Sequence, residues 1–132
     1  MMQIPSNFSY VKKTSSKILN NLSSLNLDQE ALFSIRLSIE EAIINAIRHG
    51  NKCDQNLSVT ITHSVNGHKL EISVRDEGKG FDYKILPDPT VNKNIERKGG
   101  RGIFLIRHLM DKVEFNKAGN EIRMIKYLSP HE

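Results

Sequence analysis

Residues 57–76, LSVTITHSVNGHKLEISVRD, decide the fold because they contain two strand patterns separated by a tight-turn signal. Apolar residues alternate with polar ones on both sides of the turn, at Leu57, Val59, Ile61, Leu70, Ile72 and Val74. Strict alternation is typical of a strand with one buried face. Asn66-Gly67 suits a two-residue hairpin, in which both central positions need positive φ. The stretch therefore predicts two adjacent antiparallel strands.

The chain before this hairpin predicts two helices. Residues 8–25 carry apolar side chains at helical spacing and form the first. Asn26 and Gln29 provide an N-cap and its capping partner for a second, stronger helix. That helix runs to Gly50-Asn51, a typical stop signal.

The chain after the hairpin predicts a long loop, a third helix and two closing strands. About twenty-five residues rich in glycine and proline follow Asp76, and a loop of that length in a small domain is usually functional, often a lid. The helix is expected from about Gly102 to Asp111, and the strands at 113–115 and 121–128. The sequence thus predicts an α+β fold: a two-layer sandwich with a mixed, mostly antiparallel sheet of four or five strands, covered on one face by about three helices.

Composition fits one globular domain spanning residues 1–132. Charged residues make up 26% and hydrophobic residues 38% of the 132, far from the composition of disordered chains. No segment approaches the ~20 apolar residues of a membrane span, and the first residues lack a secretory signal pattern, so we expect a cytoplasmic protein without a membrane partner. Cys53 is the single cysteine, which excludes an internal disulfide.

The charge is mildly basic. Nineteen Lys and Arg against fifteen Asp and Glu give a net charge of +4. The basic residues are scattered, with one loose cluster at Arg97, Lys98 and Arg101, and aromatic residues are only 6%. Stacking platforms for single-stranded nucleic acid are therefore not expected, and we predict no direct nucleic-acid partner.

The second helix carries a carboxylate and an amide on one face. Glu41 and Asn45 are four residues apart, so they project about one turn from each other and can act on one ligand. Most of the helix surface is apolar, and the two residues share a narrow polar strip with Ser34, Ser38 and Arg48. A solvent-facing strip without a ligand would produce the same pattern.

The second strand of the hairpin predicts an acid at the edge of the core. Asp76 has the same parity as the inward residues of that strand, so its carboxylate should point inward and require hydrogen-bond donors. An arginine or the backbone N–H groups of the next turn could supply them. Gly78 and Gly80 would also let a flat ligand approach, and an adenine amine is a suitable donor.

The third helix begins at a glycine-rich turn, Gly99-Gly100-Arg101-Gly102. Free N–H groups and the helix dipole at such a start favour phosphate, and Arg97, Lys98 and Arg101 add positive charge. A hinge without a ligand remains the alternative.

The three motifs together resemble the GHKL, or Bergerat-fold, ATPases. The stretches EEAIINAIRHGN (40–51), VRDEGKGFD (74–82) and KGGRGIFLIRHLMDKVEF (98–115) are similar to the N, G1 and G2 boxes of that superfamily, in the same order. The short length and the histidine-glycine after the N box most resemble the bacterial anti-sigma-factor serine/threonine kinases.

The resemblance implies a role for each motif residue. Asn45 would ligate Mg²⁺ and Glu41 would be the general base. Asp76, with Gly78 and Gly80, would bind the adenine of ATP.

Further residues would complete the nucleotide site. Gly100, Arg101 and Gly102 would contact the phosphates, with Lys98 reaching them from a lid at about 83–101, where Arg97 could substitute for it. The family usually has threonine at the start of the last strand, where this chain has Asn120, so we expect a modified adenine floor with binding retained.

The same resemblance implies an activity and partners. The chain would be an ATP-dependent serine/threonine protein kinase and an anti-sigma factor, most often a homodimer, that phosphorylates a STAS-type anti-anti-sigma protein and sequesters a sigma factor. Two alternatives stay open: an ATP-dependent binding switch with negligible transfer, and a detached histidine-kinase-type catalytic domain.

Overall fold

The helices and strands follow one another along the chain in the order that the sequence predicts, with one added strand at the start. The computed structural model describes residues 1–78 and 100–128. The elements are β1 (Met2–Pro5), α1 (Val11–Asn21), α2 (Gln29–Asn45), β2 (Ser58–Asn66), β3 (Lys69–Arg75), α3 (Gly100–Leu109), β4 (Lys112–Phe115) and β5 (Glu121–Tyr127). The α+β class, the number of strands and the three helices are confirmed.

The five strands form one sheet in the order β1-β2-β3-β5-β4. The predicted hairpin is confirmed: Asn66 pairs with Lys69, and Gly67 between them has a φ of +63°. Every neighbouring pair in the described part of the chain is antiparallel, so the prediction of a mixed sheet was wrong. Both β2–β3 and β4–β5 are directly successive strands, and direct connections of this kind join antiparallel neighbours.

One face of the sheet forms the core with the helices. A row of paired apolar residues crosses all five strands, from Met2 through Ile61, Val74 and Ile122 to Phe115. Ile35, Ile39 and Ile43 of α2 are fully buried above this face. Burial of each such side chain stabilises the fold by about 1.5–3 kcal/mol. The core therefore fixes α2 against the sheet, and with it every functional side chain that α2 carries.

The N-terminal part of the chain differs from the prediction in three places. Strand β1 was not predicted, because four residues that include Pro5 give too short a pattern. The first helix is shorter than residues 8–25, since single 3₁₀ turns at Phe8–Tyr10 and Ser23–Leu25 flank α1. The N-cap of α2 is Asp28, whose carboxylate accepts from the Ala31 N–H at 2.8 Å, whereas Asn26 has a φ of +52° and ends the preceding turn.

Helix α2 packs against both other helices, so its polar strip is less exposed than expected. Ser34 and Ser38 are buried, whereas the aromatic side chain of Phe33 on the same helix is 61% exposed. Glu40 is turned toward α1, where its carboxylate accepts a hydrogen bond from the Ser15 hydroxyl at 2.6 Å. In the described ranges, no helix is long and apolar enough to cross a membrane.

Candidate functional site

A small cleft, open to solvent, lies between the last turn of α2 and the sheet. It is lined by Ala42, Asn45, Ala46, Val74, Asp76, Phe115, Gly119, Asn120, Glu121 and Ile122. Three of the residues singled out in the sequence, Asn45, Asp76 and Asn120, therefore share one cleft although 75 positions separate the first from the last (120 − 45).

Asp76 follows the last residue of β3 and presents its carboxylate to this cleft. One carboxylate oxygen accepts from the Gly78 N–H at 2.7 Å, so a backbone donor of the next turn satisfies part of its requirement. Burial raises the pKa of Asp76, while the Gly78 N–H and the positive charge of Arg75 act in the opposite direction. An ionised carboxylate accepts several hydrogen bonds, which leaves acceptor capacity for a donor in the cleft.

The backbone of Gly50 lies directly against Asp76. A Cβ at Gly50 would overlap the Asp76 carboxylate, coming within 2.7 Å of Oδ1 and closer to the other two atoms of the group. A Cβ at Gly78 would overlap the Gly50 carbonyl group, with its carbon 2.8 Å away. Both positions thus require glycine for lack of space, and the end of α2 is in backbone contact with the turn that carries Asp76.

A π-helical turn brings Gly50 to this place. Helix α2 continues as a wider turn over Ala46–Gly50, which the Asn51 N–H closes by donating to the Ala46 carbonyl at 2.8 Å. Turns of this kind are rare and often occur at functional sites. The sequence prediction placed the end of the helix correctly at Gly50-Asn51 but gave no sign of the wider turn.

Asn45 provides the oxygen that a metal ion would need. Its side-chain Oδ1 is buried and has no hydrogen-bond partner among residues 1–78 and 100–128. Within those ranges no cluster of three His, Cys, Asp or Glu could hold a metal. Mg²⁺ is commonly bound through one or two protein oxygens, with phosphates and water completing an octahedron, so an unpaired amide oxygen at the cleft fits this ion.

Glu41 lies one turn before Asn45 and contacts the start of α3. A Cβ at Gly102 would be 3.0 Å from the Glu41 Oε2 atom, so the carboxylate packs against the glycine backbone. Gly100, Arg101 and Gly102 form the first turn of α3, which begins two residues earlier than predicted, with Gly100 buried and Arg101 exposed. The first N–H groups of a helix lack partners within the helix, and here Glu41 lies beside them.

Asn120 is held by the loop between β4 and β5. Its Oδ1 accepts from the Asn116 side chain at 2.7 Å, and its Nδ2 donates to the Asp76 carbonyl at 3.4 Å. Asn116 also accepts from the N–H groups of Gly119, Asn120 and Glu121. The amide of Asn120 is therefore fixed at the wall of the cleft next to Asp76.

Several predicted site residues lie outside the described residues. These are Gly80, Lys98, the alternative residue Arg97, and the proposed lid up to residue 99. Conversely, the structure places Gly50, Asn51, Asn116 and Gly119 at or behind the cleft, and none was predicted there. Gly50 and Asn51 were interpreted only as a helix stop, and no pattern in the sequence relates them to Asp76.

Comparison with known proteins agrees with this arrangement. Residues 4–126 match the family described as "Histidine kinase-like ATPase domain". The chain belongs to this family. The GHKL resemblance of the three motifs is thereby confirmed.

This histidine kinase-like ATPase domain is similar to curated serine-protein kinases. It is 30% identical to "Serine-protein kinase RsbW" of Staphylococcus aureus strain MSSA476, over 99% of this chain and 87% of the relative. RsbW of strain JH9 matches with the same identity and coverage. A kinase of this name, matched over nearly its whole length, supports the kinase branch of the family.

Solved structures share the fold of this ATPase domain. The RsbU and RsbW domains of Rv1364c from Mycobacterium tuberculosis superpose with a TM-score of 0.61 at 13% identity, over 99% of this chain and 33% of that one. The catalytic domain of histidine kinase ThkA gives 0.59 at 13% identity, over 98% of both chains. At this identity the two likenesses establish the fold and leave the reaction to the site.

Proposed function

We propose that this chain is an ATP-dependent serine/threonine protein kinase. The observation that carries the proposal is the position of α2. This helix presents Asn45 to the cleft that Asp76 lines, and it presents Glu41 to the first turn of α3. The similarity to serine-protein kinases over nearly the whole chain supports serine or threonine as the acceptor.

The two ends of the site suit the two ends of ATP. The Asp76 carboxylate would accept from the adenine amine, with Asn120 forming the floor and Gly78 and Gly80 leaving space for the ring. Gly100, Arg101 and Gly102 would meet the phosphates with free N–H groups and a positive charge, a common arrangement for anions at a helix start. Lys98 would add a second positive charge.

Glu41 would act on the phosphate acceptor. Phosphoryl transfer depends mainly on positioning and charge stabilisation, so a carboxylate beside the phosphate end need only orient a serine or threonine hydroxyl and accept its proton. Asn45 would hold Mg²⁺, which when bound supplies positive charge to the phosphate oxygens. No other described side chain at this end of α2 offers an unpaired buried oxygen next to the cleft.

The family resemblance extends the proposal to partners. We infer a cytoplasmic, homodimeric anti-sigma factor whose substrate is a STAS-type anti-anti-sigma protein, and which sequesters a sigma factor when that protein is phosphorylated. The alternatives are a binding switch without transfer and a domain that phosphorylates histidine.

The chemical stability of the product tests the reaction. The protein is incubated with γ-labelled ATP and candidate anti-anti-sigma proteins, and the products are treated with acid. Label that survives acid on a serine or threonine of the partner supports the proposal. Label lost in acid indicates phosphohistidine, and a nucleotide-dependent complex without label indicates a binding switch; either result contradicts the kinase assignment.

We expect Asn45→Ala to remove the Mg²⁺-dependent part of the affinity for ATP. The substitution deletes the unpaired amide oxygen, so the affinity measured with Mg²⁺ should fall to the value measured without it. Calorimetric titrations with and without the metal measure both values.

Ser38→Ala is the matched control for this prediction. Ser38 carries the other buried oxygen of α2 without a partner in the described part of the chain, and it does not line the cleft. Its variant should retain the full Mg²⁺ dependence. An Asn45→Ala variant that also retains it would remove Asn45 from the metal site.

A further inference from the structure

Asn51 is a buried polar residue behind the cleft that none of the roles above includes. Its side chain is 2% exposed and makes three hydrogen bonds. The Nδ2 group donates to the Ser6 hydroxyl at 2.8 Å and to the Ser58 carbonyl at 3.0 Å, and the Oδ1 atom accepts from the Glu77 N–H at 2.8 Å. The amide thus joins three different segments of the chain: the one after β1, the start of β2 and the turn after β3.

These bonds fix the backbone on the far side of Asp76. The Asp76 N–H donates to the Asn120 carbonyl at 2.9 Å, and the next N–H, that of Glu77, is held by Asn51. The backbone is therefore held on both sides of the Asp76 side chain, by Asn120, the residue before β5, and by Asn51 at the end of α2. The Gly50 backbone meanwhile closes the space behind the carboxylate.

Asn51 also connects the two walls of the cleft. Its own N–H closes the π-helical turn on Ala46, a cleft residue, while its side chain holds the turn after β3. A shift of the Glu77 N–H by a fraction of an ångström would move the Asp76 carboxylate relative to Asn45. A buried amide with all partners satisfied is the kind of group that specifies one such arrangement.

We propose that Asn51 is a positioning residue for base recognition. It holds the Asp76 carboxylate in the place where this group accepts a hydrogen bond from the amine of adenine. This inference rests on the proposed function, since it needs adenine in the cleft. Asn51 itself does not line the cleft, so it acts through Asp76 and Glu77.

The readout is the ratio of the affinities for ATP and purine riboside triphosphate. The two nucleotides differ only at C6, where ATP carries the amine and purine riboside triphosphate a hydrogen, so the ratio measures the hydrogen bond from the amine to Asp76. A purely structural role of Asn51 would lower both affinities together. A positioning role lowers the affinity for ATP more, because a misplaced acceptor loses only the contact with the amine.

The experiment measures this ratio by calorimetry on the full chain for the wild type and three variants. For Asn51→Ala we expect a loss of about 10-fold in the ratio, the worth of one misaligned hydrogen bond to a charged group. Asn51→Asp keeps an acceptor for the Glu77 N–H but loses the donors to Ser6 and Ser58, so it should retain most of the ratio at a lower melting temperature. Ser6→Ala removes one acceptor of the amide and a donor to the Leu57 carbonyl, but leaves the bond to the Glu77 N–H, so it should keep the wild-type ratio.

The outcomes separate this inference from the proposed function. A wild type that does not prefer ATP over purine riboside triphosphate contradicts adenine recognition itself. A wild type that prefers ATP, together with an Asn51→Ala variant of unchanged ratio, overturns only the positioning role. If Asn51→Ala does not fold, the Asn51→Asp variant decides: a folded protein that has lost the preference while holding the Glu77 N–H contradicts the inference.

Discussion

Glu41→Gln should reduce phosphoryl transfer about 10²–10⁴-fold, the usual contribution of a positioned general base, and leave ATP binding unchanged. Glutamine has nearly the same shape, so the contact with Gly102 at the start of α3 is retained while the proton acceptor is lost. The initial rate of label transfer to the partner at saturating ATP measures the first effect, and calorimetry measures the second.

The neighbouring acid provides the matched control. Glu40 is also a carboxylate of α2, but it accepts from the Ser15 hydroxyl and is turned toward α1. Glu40→Gln should label the partner at the wild-type rate. Undiminished labelling by Glu41→Gln would remove Glu41 from the role of base, and equal losses in both variants would indicate a general effect of charge on α2.

Asp76→Asn should weaken ATP binding by about 10- to 100-fold, because a neutral acceptor replaces a charged one in the hydrogen bond to the adenine amine. The fold should not be weakened in the same way. The charge of Asp76 is already disfavoured by burial, and asparagine can still accept from the Gly78 N–H. We therefore expect a melting temperature without ligand equal to or above that of the wild type.

Asp111→Asn is the control for this substitution. Asp111 is exposed and likewise accepts a backbone N–H, that of Tyr127 at 2.6 Å, but it lies at the start of β4 outside the cleft. Its variant should bind ATP as the wild type does. A melting temperature of Asp76→Asn that falls in proportion to the affinity would show that Asp76 is a structural residue.

The raised pKa of Asp76 gives the nucleotide affinity a pH dependence of known sign. The carboxyl is protonated in the folded protein at a pH above the ordinary aspartate value of 3.8, because burial disfavours the charge. The contribution of Asp76 to the stability of the free protein therefore falls as the pH rises from 3.8 through the folded pKa, and this contribution is constant above that. ATP needs the ionised acceptor, so acidification through the same range should weaken binding in the wild type more than in Asp76→Asn.

The elements with long periodic patterns could be predicted from the sequence. The hairpin of β2 and β3 follows from strict alternation and from Asn66-Gly67, and the same parity correctly turns Asp76 toward the cleft. The spacing of Glu41 and Asn45 is a property of any helix, so their shared face follows as soon as the helix is recognised. These inferences use only neighbours along the chain.

The rest depends on contacts between distant segments. Strand β1 exists because its four residues pair with β2, and no local pattern encodes that partner. Ser38 is buried because α2 packs against two helices, a circumstance that helical periodicity does not contain. The roles of Gly50 and Asn51 depend on their contacts with Asp76 and Glu77. Gly50 precedes Asp76, and Asn51 precedes Glu77, by 26 positions along the chain (76 − 50 and 77 − 51).

The wide turn at the end of α2 makes the length of this segment as important as its composition. An α-helix advances about 100° per residue, so deleting one residue between Ala46 and Asn51 would restore regular helix and rotate the following amide by roughly that angle, away from β3. An inserted residue would turn it the other way. Homologues and designed variants of this site should therefore keep Gly50 and Asn51, tolerate substitution of the exposed Arg48, and show no gap in their alignment over this segment.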